Sequence, residues 1–366
     1  MILYTKINNT VIKLTELQSF PEAVISWQQA NEFLRIVTGS EKSQVSSQLS
    51  RMCETLRCEE SLWPVLIPEQ SRDYIVKSKK EELHEAILNN LEYFSLWLEN
   101  RKFLDSLQPF RVDTEKIKNI SYQRSGSFSS KWDDQQKIVY STCRTATGRL
   151  TITSGLNFLV MPKETRKCIL ADFSDSTIYS IDFTSLEPRV ALWAASESVS
   201  REDVYEEVME MCEIEKREVA KLATLSTLYG AGVHRLAKTV GSQKKAKQLI
   251  ERVSRYFGVD SFEGRLEEAA NEKGIVKNFF GRPLQEATVN RRLRLNHFIQ
   301  STAAELAVLM FSRLCADFSS VRPLLVIHDA LIVEVDKSDD SKFLKACKDI
   351  RHEGFWFPTK TETLDI

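Results

Sequence analysis

Two aspartates far apart in the chain could share one piece of chemistry. Asp182 follows an apolar, β-branched run, Thr177-Ile178-Tyr179-Ser180-Ile181, which reads as a strand. A second acid, Glu187, comes five residues later, and Arg189-Val190-Ala191-Leu192-Trp193-Ala194-Ala195 has helical composition. A carboxylate at a strand end just ahead of a helix is either a metal ligand or the cap of that helix. Much further on, Asp329 stands between Leu324-Leu325-Val326-Ile327 and Ala330-Leu331-Ile332-Val333, which read as the buried arms of a tight hairpin with Asp329 at its tip. An ionised carboxylate among that much Val, Ile and Leu needs a partner for its charge. A divalent cation shared with Asp182 would be one. Two carboxylates on adjacent strand ends can hold two Mg²⁺ ions, which clamp the attacking and leaving oxygens of a phosphoryl transfer.

These residues carry a resemblance. The segment Asp182 to Arg189 resembles the first polymerase motif of family A DNA polymerases, the group of bacterial DNA polymerase I and its phage relatives. His328-Asp329-Ala330 resembles their third motif, usually His-Asp-Glu, and Arg217-x₃-Lys221-x₇-Tyr229-Gly230 is similar to the second. Thr147-Gly148-Arg149-Leu150 and Arg292-x₃-Asn296-x₃-Gln300 are further matches, and the likeness covers roughly residues 80–366.

The resemblance implies an α/β fold shaped like a right hand, with palm, fingers, thumb and an antiparallel palm sheet. It implies a DNA polymerase that adds dNTPs to a primer 3′-hydroxyl on primer–template DNA. Asp182 and Asp329 are then the catalytic carboxylates that hold two Mg²⁺ ions, with Mn²⁺ as a substitute and the Phe183 backbone carbonyl as a further ligand. Arg217 and Lys221 grip the β- and γ-phosphates. Tyr229 stacks near the incoming base and shares with Glu187 the floor under the sugar. His328 shapes the primer terminus. Arg149, Asn157, Arg292, Asn296 and Gln300 face the DNA, with Thr145 and Thr147 along its minor groove. Two positions depart from the family pattern. Leu225 stands where an aromatic is usual, which bears on sugar discrimination at the 3′ position. Ala330 replaces the third motif's Glu, which bears on the catalytic rate.

The elements that must position these residues follow from length and periodicity. A chain of 366 residues is long enough for two or three compact lobes. The expected division is 1–77 of unassigned role, 78–135 thumb-like helices, 136–196 palm, 197–290 fingers and 291–366 palm again. Within 78–118, Leu83, Ile87, Leu91, Phe94, Trp97 and Leu98 recur at helical spacing, which predicts a long helical pair, and the resemblance implies that its two helices run antiparallel as a thumb. Ser121 to Lys131 is Ser- and Gly-rich and reads as a loop near the DNA backbone. Glu197 to Glu215 reads as an acidic amphipathic stretch with a solvated face. Arg217, Lys221 and Tyr229 fall within a helical stripe of about 120°. Such a face neutralises a triphosphate, or is simply an exposed basic surface. From His234 to Tyr256, seven basic residues stand against one acid, a candidate template contact or a solvated helix. Asn278 to Leu284 resembles the family's Phe-Gly-Arg turn back into the palm. Asn296 and Gln300, one helical turn apart, can reach minor-groove base edges that are alike for all pairs.

At the front, Leu3–Ile7 and Thr10–Leu14 suggest a hairpin, Asn31–Leu56 a helix and Trp63–Pro68 an extended link. No acids there are arranged like a 3′–5′ exonuclease centre, so proofreading is expected to be lacking. The segment reads as a structural cap or as a docking site for another protein, and a separate exonuclease or processivity protein is among the expected partners of the chain. Net charge is −1, so nucleic acid must be held by local patches. The continuous apolar runs are too short to span a bilayer, and the N-terminus lacks a signal-peptide layout. The seven scattered cysteines contain no Cys-x-x-Cys pair and are expected as reduced thiols. Together these predict a cytoplasmic protein without a membrane partner, in the host cytoplasm if viral. Two other readings stand beside a DNA polymerase. A single-subunit RNA polymerase is opposed by Glu187, which would leave no room for a 2′-hydroxyl. A weakened or dead nucleic-acid-binding polymerase fold is opposed by the retention of both aspartates.

Overall fold

The computed structural model describes residues 2–7, 10–16, 23–39, 81–125, 133–195, 203–230 and 233–364. They fall into two units, Met1–Trp97 with Gly281–Pro283, and Leu98–Phe280 with Leu284–Ile366.

In the first unit, strands β1 (Ile2–Ile7) and β2 (Thr10–Glu16) pair antiparallel, as the expected hairpin, and β3 (Ala23–Ser26) joins β1 in parallel. Helix α1 (Trp27–Thr38) follows, starting ahead of the expected Asn31. The rest of that expected helix, the Trp63–Pro68 link and residues 126–131 of the Ser-rich loop lie outside the described residues. Phe33 of α1 packs on Tyr93, Phe94 and Trp97, with ring centroids 6.1, 4.9 and 5.2 Å away. Arg282 Nη1 donates to Tyr93 Oη at 2.9 Å. Gly281 makes that approach at a φ of +89°, which a side chain would strain.

Residues 81–89 are helical, and α2 (Leu91–Ser106) follows after Asn90 alone. The span expected to hold a helical pair thus contains helical residues 81–89, α2 and, further on, the start of a third helix. Leu83, Ile87, Phe94, Trp97 and Leu98 are buried along it, as their spacing predicts, and Leu91 is half-buried. Helix α2 stops at Ser106, and strand β4 (Phe110–Val112) separates it from α3 (Thr114–Ser125), which occupies the first part of the expected loop.

The second unit holds the sheet that matters. Short strands β5 (Gln135–Gln136), β6 (Val139–Ser141), β7 (Thr151–Ser154) and β8 (Ile169–Leu170) precede the long β9 (Ser176–Phe183). Then come α4 (Leu186–Ala194), α5 (Val204–Cys212), α6 (Arg217–Leu228), α7 (Val233–Val240), α8 (Gln243–Tyr256), α9 (Val259–Lys273), α10 (Gln285–Val289) and α11 (Arg294–Ala316). The chain ends with β10 (Val321–Ile327), β11 (Ala330–Asp336), α12 (Asp340–Lys348), β12 (Arg351–His352), β13 (Phe355–Trp356) and β14 (Thr359–Thr363). The order β10-β11-β9-β14 is antiparallel throughout. Leu324 to Ile327 and Leu331 to Val333 are buried without alternation, because both faces of these strands are covered. Phe183 stacks on Phe311 of α11, ring centroids 4.9 Å apart. By length and composition the segment Arg291–Ala316 is apolar enough to cross a membrane, but 72% of that window is buried inside the protein, so it reads as the core helix. A second apolar cluster forms among the helices, around Ala220, Ala223, Leu236, Val253, Phe257 and Ile299. The five cysteines among the described residues are free thiols.

One buried charge holds the sheet's far end. Glu334 of β11 accepts from the backbone N–H groups of Asp172 and Phe173 at 2.8 and 3.0 Å and from Ser176 Oγ at 2.5 Å. It also pairs with Arg322 of β10, whose other terminal nitrogen bonds Asp172 at 3.0 Å. Removing one member of a buried, satisfied network leaves the others desolvated and unpaired. Glu334→Ala is therefore expected to lose about 3 kcal/mol in urea unfolding. A loss below about 1 kcal/mol would show that the network is incidental to the sheet.

Candidate active site

The turn between β10 and β11 contains only His328 and Asp329, with Ile327 paired to Ala330. A two-residue hairpin needs a positive φ at its first central position. His328 supplies it at +56°. Strand β9 lies beside β11 in a register that opposes Asp182 to Ala330, and the Phe183 N–H donates to the Asp329 carbonyl at 3.1 Å. The two aspartates thus meet at one end of the sheet. Asp182 does not cap the next helix: Ser185, at φ +55°, holds the N-cap position of α4. Ala330 is the first residue of β11 and is buried, so it lies in the strand rather than at the tip.

Burial, and next the charge of Asp329, push the Asp182 carboxyl up to about 6, while Arg166 and Lys163 only partly offset this. Asp329 is also raised, mainly by burial, against the pull of its own backbone N–H, His328, Arg149 and Arg166. Lys163 is itself engaged by Glu362 at 2.9 Å. Among the described residues no group of three or more His, Cys, Asp or Glu side chains forms a metal cluster, so the two aspartates stand as a pair.

Glu187, in the first turn of α4, has a partner on each oxygen. Arg149 Nη2 donates to Oε1 at 2.5 Å, and the Tyr229 hydroxyl donates to Oε2. Burial still raises the Glu187 carboxyl, because the Arg149 pair does not cancel it. Tyr229 closes α6 at its C-cap, with Gly230 in the left-handed region behind it at φ +64°. At the other end of α6, Arg217 is bonded through Nε to Asp203 at 2.6 Å and lies over the Tyr205 ring at 5.1 Å. Lys221 is exposed and Leu225 half-buried on the same helix.

Asp203, Tyr205 and Ser185 were not expected here. Asp203 caps α5 through Tyr205 N at 3.1 Å and also accepts from Ser185 Oγ at 2.9 Å. The spacing Asp203-x-x-Glu206 carries a capping signal, but no local pattern discloses Arg217 as the partner. The acidic stretch is amphipathic as expected, with Glu206 and Glu210 exposed, yet its Asp203 and Tyr205 are buried.

The remaining expected residues are more dispersed. Asn157 is exposed in a turn, its carbonyl accepting from Val160 N at 3.2 Å. Arg292 is exposed in the 3-10 turn Arg291–Leu293 ahead of α11. Asn296 and Gln300 lie half-buried one turn apart on α11, and among the described residues Asn296 Oδ1 has no hydrogen-bond partner. The seven basic residues of α7 and α8 are all exposed, and Arg252 is drawn to Glu213 at 2.8 Å.

The family model described as DNA polymerase family A matches residues 39–354. Among curated proteins, the chain is 23% identical over 298 residues to DNA polymerase I of Bacillus caldotenax, covering 69% of this chain and 34% of that protein. It is 27% identical over 218 residues to the DNA polymerase of Mycobacterium phage L5, covering 57% of this chain and 36% of that one. It thus spans about a third of the length of these relatives. A solved structure, the POL domain of Pol1 from M. smegmatis in complex with DNA primer-template and dNTP, matches with a TM-score of 0.49 and 16% identity, covering 92% of this chain and 65% of that one.

The raised Asp182 carboxyl has a consequence for stability. Its ordinary value is 3.8 and its folded value about 6. Between these the folded state binds more protons than the unfolded one, so the cation-free protein loses stability as pH rises from about 4 to about 6. Asp182→Asn removes this cost. In chelator-treated protein the variant is expected to be about 1–3 kcal/mol more stable than wild type at neutral pH and to match it near pH 4. Urea titrations at the two pH values check this. An equal difference at both would mean that the aspartate charge is not opposed by its surroundings.

Proposed function

Because the chain belongs to DNA polymerase family A, we propose that it is a DNA-directed DNA polymerase, adding dNTPs to the 3′-hydroxyl of a primer paired to a DNA template. The observation that carries this is the convergence of Asp182 and Asp329 at one end of the sheet, both with carboxyls pushed upward. Two oxygen donors with opposed charge and only partial compensation suit a hard divalent cation.

Asp182, Asp329 and the backbone carbonyl of Phe183 would hold two Mg²⁺ ions, or Mn²⁺ in their place. When bound, such ions lower the pKa of the primer hydroxyl and neutralise charge on the leaving pyrophosphate. The chain's own groups do the rest. Arg217 and Lys221 neutralise the triphosphate from one face of α6. Tyr229 offers its ring to the incoming base, and its hydroxyl holds Glu187. With Arg149 on the other oxygen, Glu187 is clamped in one rotamer and fills the space that a 2′-hydroxyl would need. Leu225 gives the sugar an aliphatic neighbour where an aromatic ring is usual. His328, exposed at the turn, borders the primer terminus. Arg149, Asn157, Arg292, Asn296 and Gln300 line the duplex, and the basic faces of α7 and α8 follow the template backbone. Ala330 leaves no carboxylate beside Asp182, so the chemical step is slower than in a chain with Glu there.

Primer extension tests the assignment. Asp329→Asn should abolish addition while the Kd for primer–template stays within about twofold, since phosphate contacts and not the metal site hold the duplex. Extension above a few per cent of wild type would remove Asp329 from the chemistry. Glu187→Ala should admit ribonucleotides at least about tenfold better relative to dNTPs, because the exclusion is steric. An unchanged ratio of kcat/KM values would place the sugar gate elsewhere.

A further inference from the structure

Helix α6, which carries Arg217, Lys221 and Tyr229, is tied at each end to an acid outside it. At its C-terminus Tyr229 meets Glu187, and at its N-terminus Arg217 meets Asp203. The second tie has an unusual form. Asp203 takes only the Nε of Arg217, and no other hydrogen bond reaches that guanidinium among the described residues. The Tyr205 ring supports its flat face at 5.1 Å, yet 43% of the Arg217 side chain remains exposed. The guanidinium is therefore gripped by its inner nitrogen and one face, while its terminal nitrogen pair stays open.

Asp203 is built to stay where it is. Its side chain is 11% exposed, and its oxygens also accept from Tyr205 N and Ser185 Oγ. Burial opposes its charge, but the bonds from Arg217, Tyr205 and Ser185 outweigh burial and hold the carboxyl below its usual range. Ser185 is three residues past Asp182 and two before Glu187. One carboxylate thus connects the turn after the catalytic strand to the first residue of α6.

We propose that Asp203 is a positioning residue for nucleotide binding: it holds Arg217 by Nε so that the terminal Nη pair faces the anionic oxygens of a triphosphate. This rests on the reading of Arg217 as a triphosphate ligand. An arginine free to rotate loses side-chain entropy when it binds, whereas one already held by a fork-compatible acceptor and an aromatic face has lost most of it. Asp203 touches no nucleotide and acts only through Arg217.

The test is a double-mutant cycle on dNTP affinity, measured with a dideoxy-terminated primer so that no turnover is needed. Asp203→Asn keeps an oxygen for Tyr205 N and Ser185 Oγ but loses the charge that holds Arg217. It should weaken the dNTP Kd about tenfold, the loss of one charge-assisted hydrogen bond, with the primer–template Kd and Tm little changed. Arg217→Ala should weaken it further, and the double variant should bind no worse than Arg217→Ala alone. Should Asp203→Asn not fold, Asp203→Ser retains a good cap and serves the same cycle. Wild-type affinity in the Asp203 variant, or losses that multiply in the double variant, would overturn the positioning role and leave the polymerase reading intact. Unchanged affinity in Arg217→Ala, or no ternary complex with the wild type, would overturn the triphosphate reading and this inference with it.

Discussion

Asp182 and Asp329 repel each other in a partly desolvated place, and the second unit is arranged so that they cannot move apart. Antiparallel pairing sets Ala330 against Asp182, and a two-residue turn leaves Asp329 no slack. The Phe183 N–H bond to the Asp329 carbonyl then joins the two segments directly. Like charges held this way favour a proton or a cation. The apolar strands beneath, and Phe183 stacked on Phe311 of α11, supply the rigidity against which the repulsion works. At the other end of the same strands, the buried Glu334 pairs with the half-buried Arg322, which sets β10 against β11 and reaches on to Asp172.

Much of this was legible in the sequence. Thr177–Ile181 announces a strand through β-branching, and the runs flanking His328-Asp329 announce a buried hairpin because both are apolar without alternation. The grouping of Arg217, Lys221 and Tyr229 on one helix follows from helical geometry. What could not be read was the identity of partners across long separations. Arg149 and Tyr229 both end on Glu187, and Asp203 ends on Arg217, because tertiary packing and not spacing brings them together. Apolar periodicity within 78–118 reports a buried face and is silent about Asn90, where the helical residues are interrupted. Ala330 was read as the start of the second hairpin arm, and its pairing with Ile327 puts it there.

The ties around α6 suggest how the site is assembled. Three acids near one strand end do different work: Asp182 faces Asp329, Glu187 is clamped by Arg149 and Tyr229, and Asp203 grips Arg217. Asp203 alone among them is held below its usual range, because its hydrogen bonds outweigh its burial; Asp182 and Glu187 are pushed up. Hydrogen-bond partners on both oxygens suit Glu187 and Asp203 to holding α6, whereas the aspartate pair, with little to offset its charge, suits a cation.

The central claim, that the aspartate pair forms a nucleotide-adding centre, is tested most directly by single-turnover incorporation of one dNTP opposite a defined template base. The account predicts Mg²⁺-dependent extension by one nucleotide, selective for the complementary base. Absence of any extended primer at saturating dNTP, with either Mg²⁺ or Mn²⁺, would contradict it and reduce the chain to a binding fold.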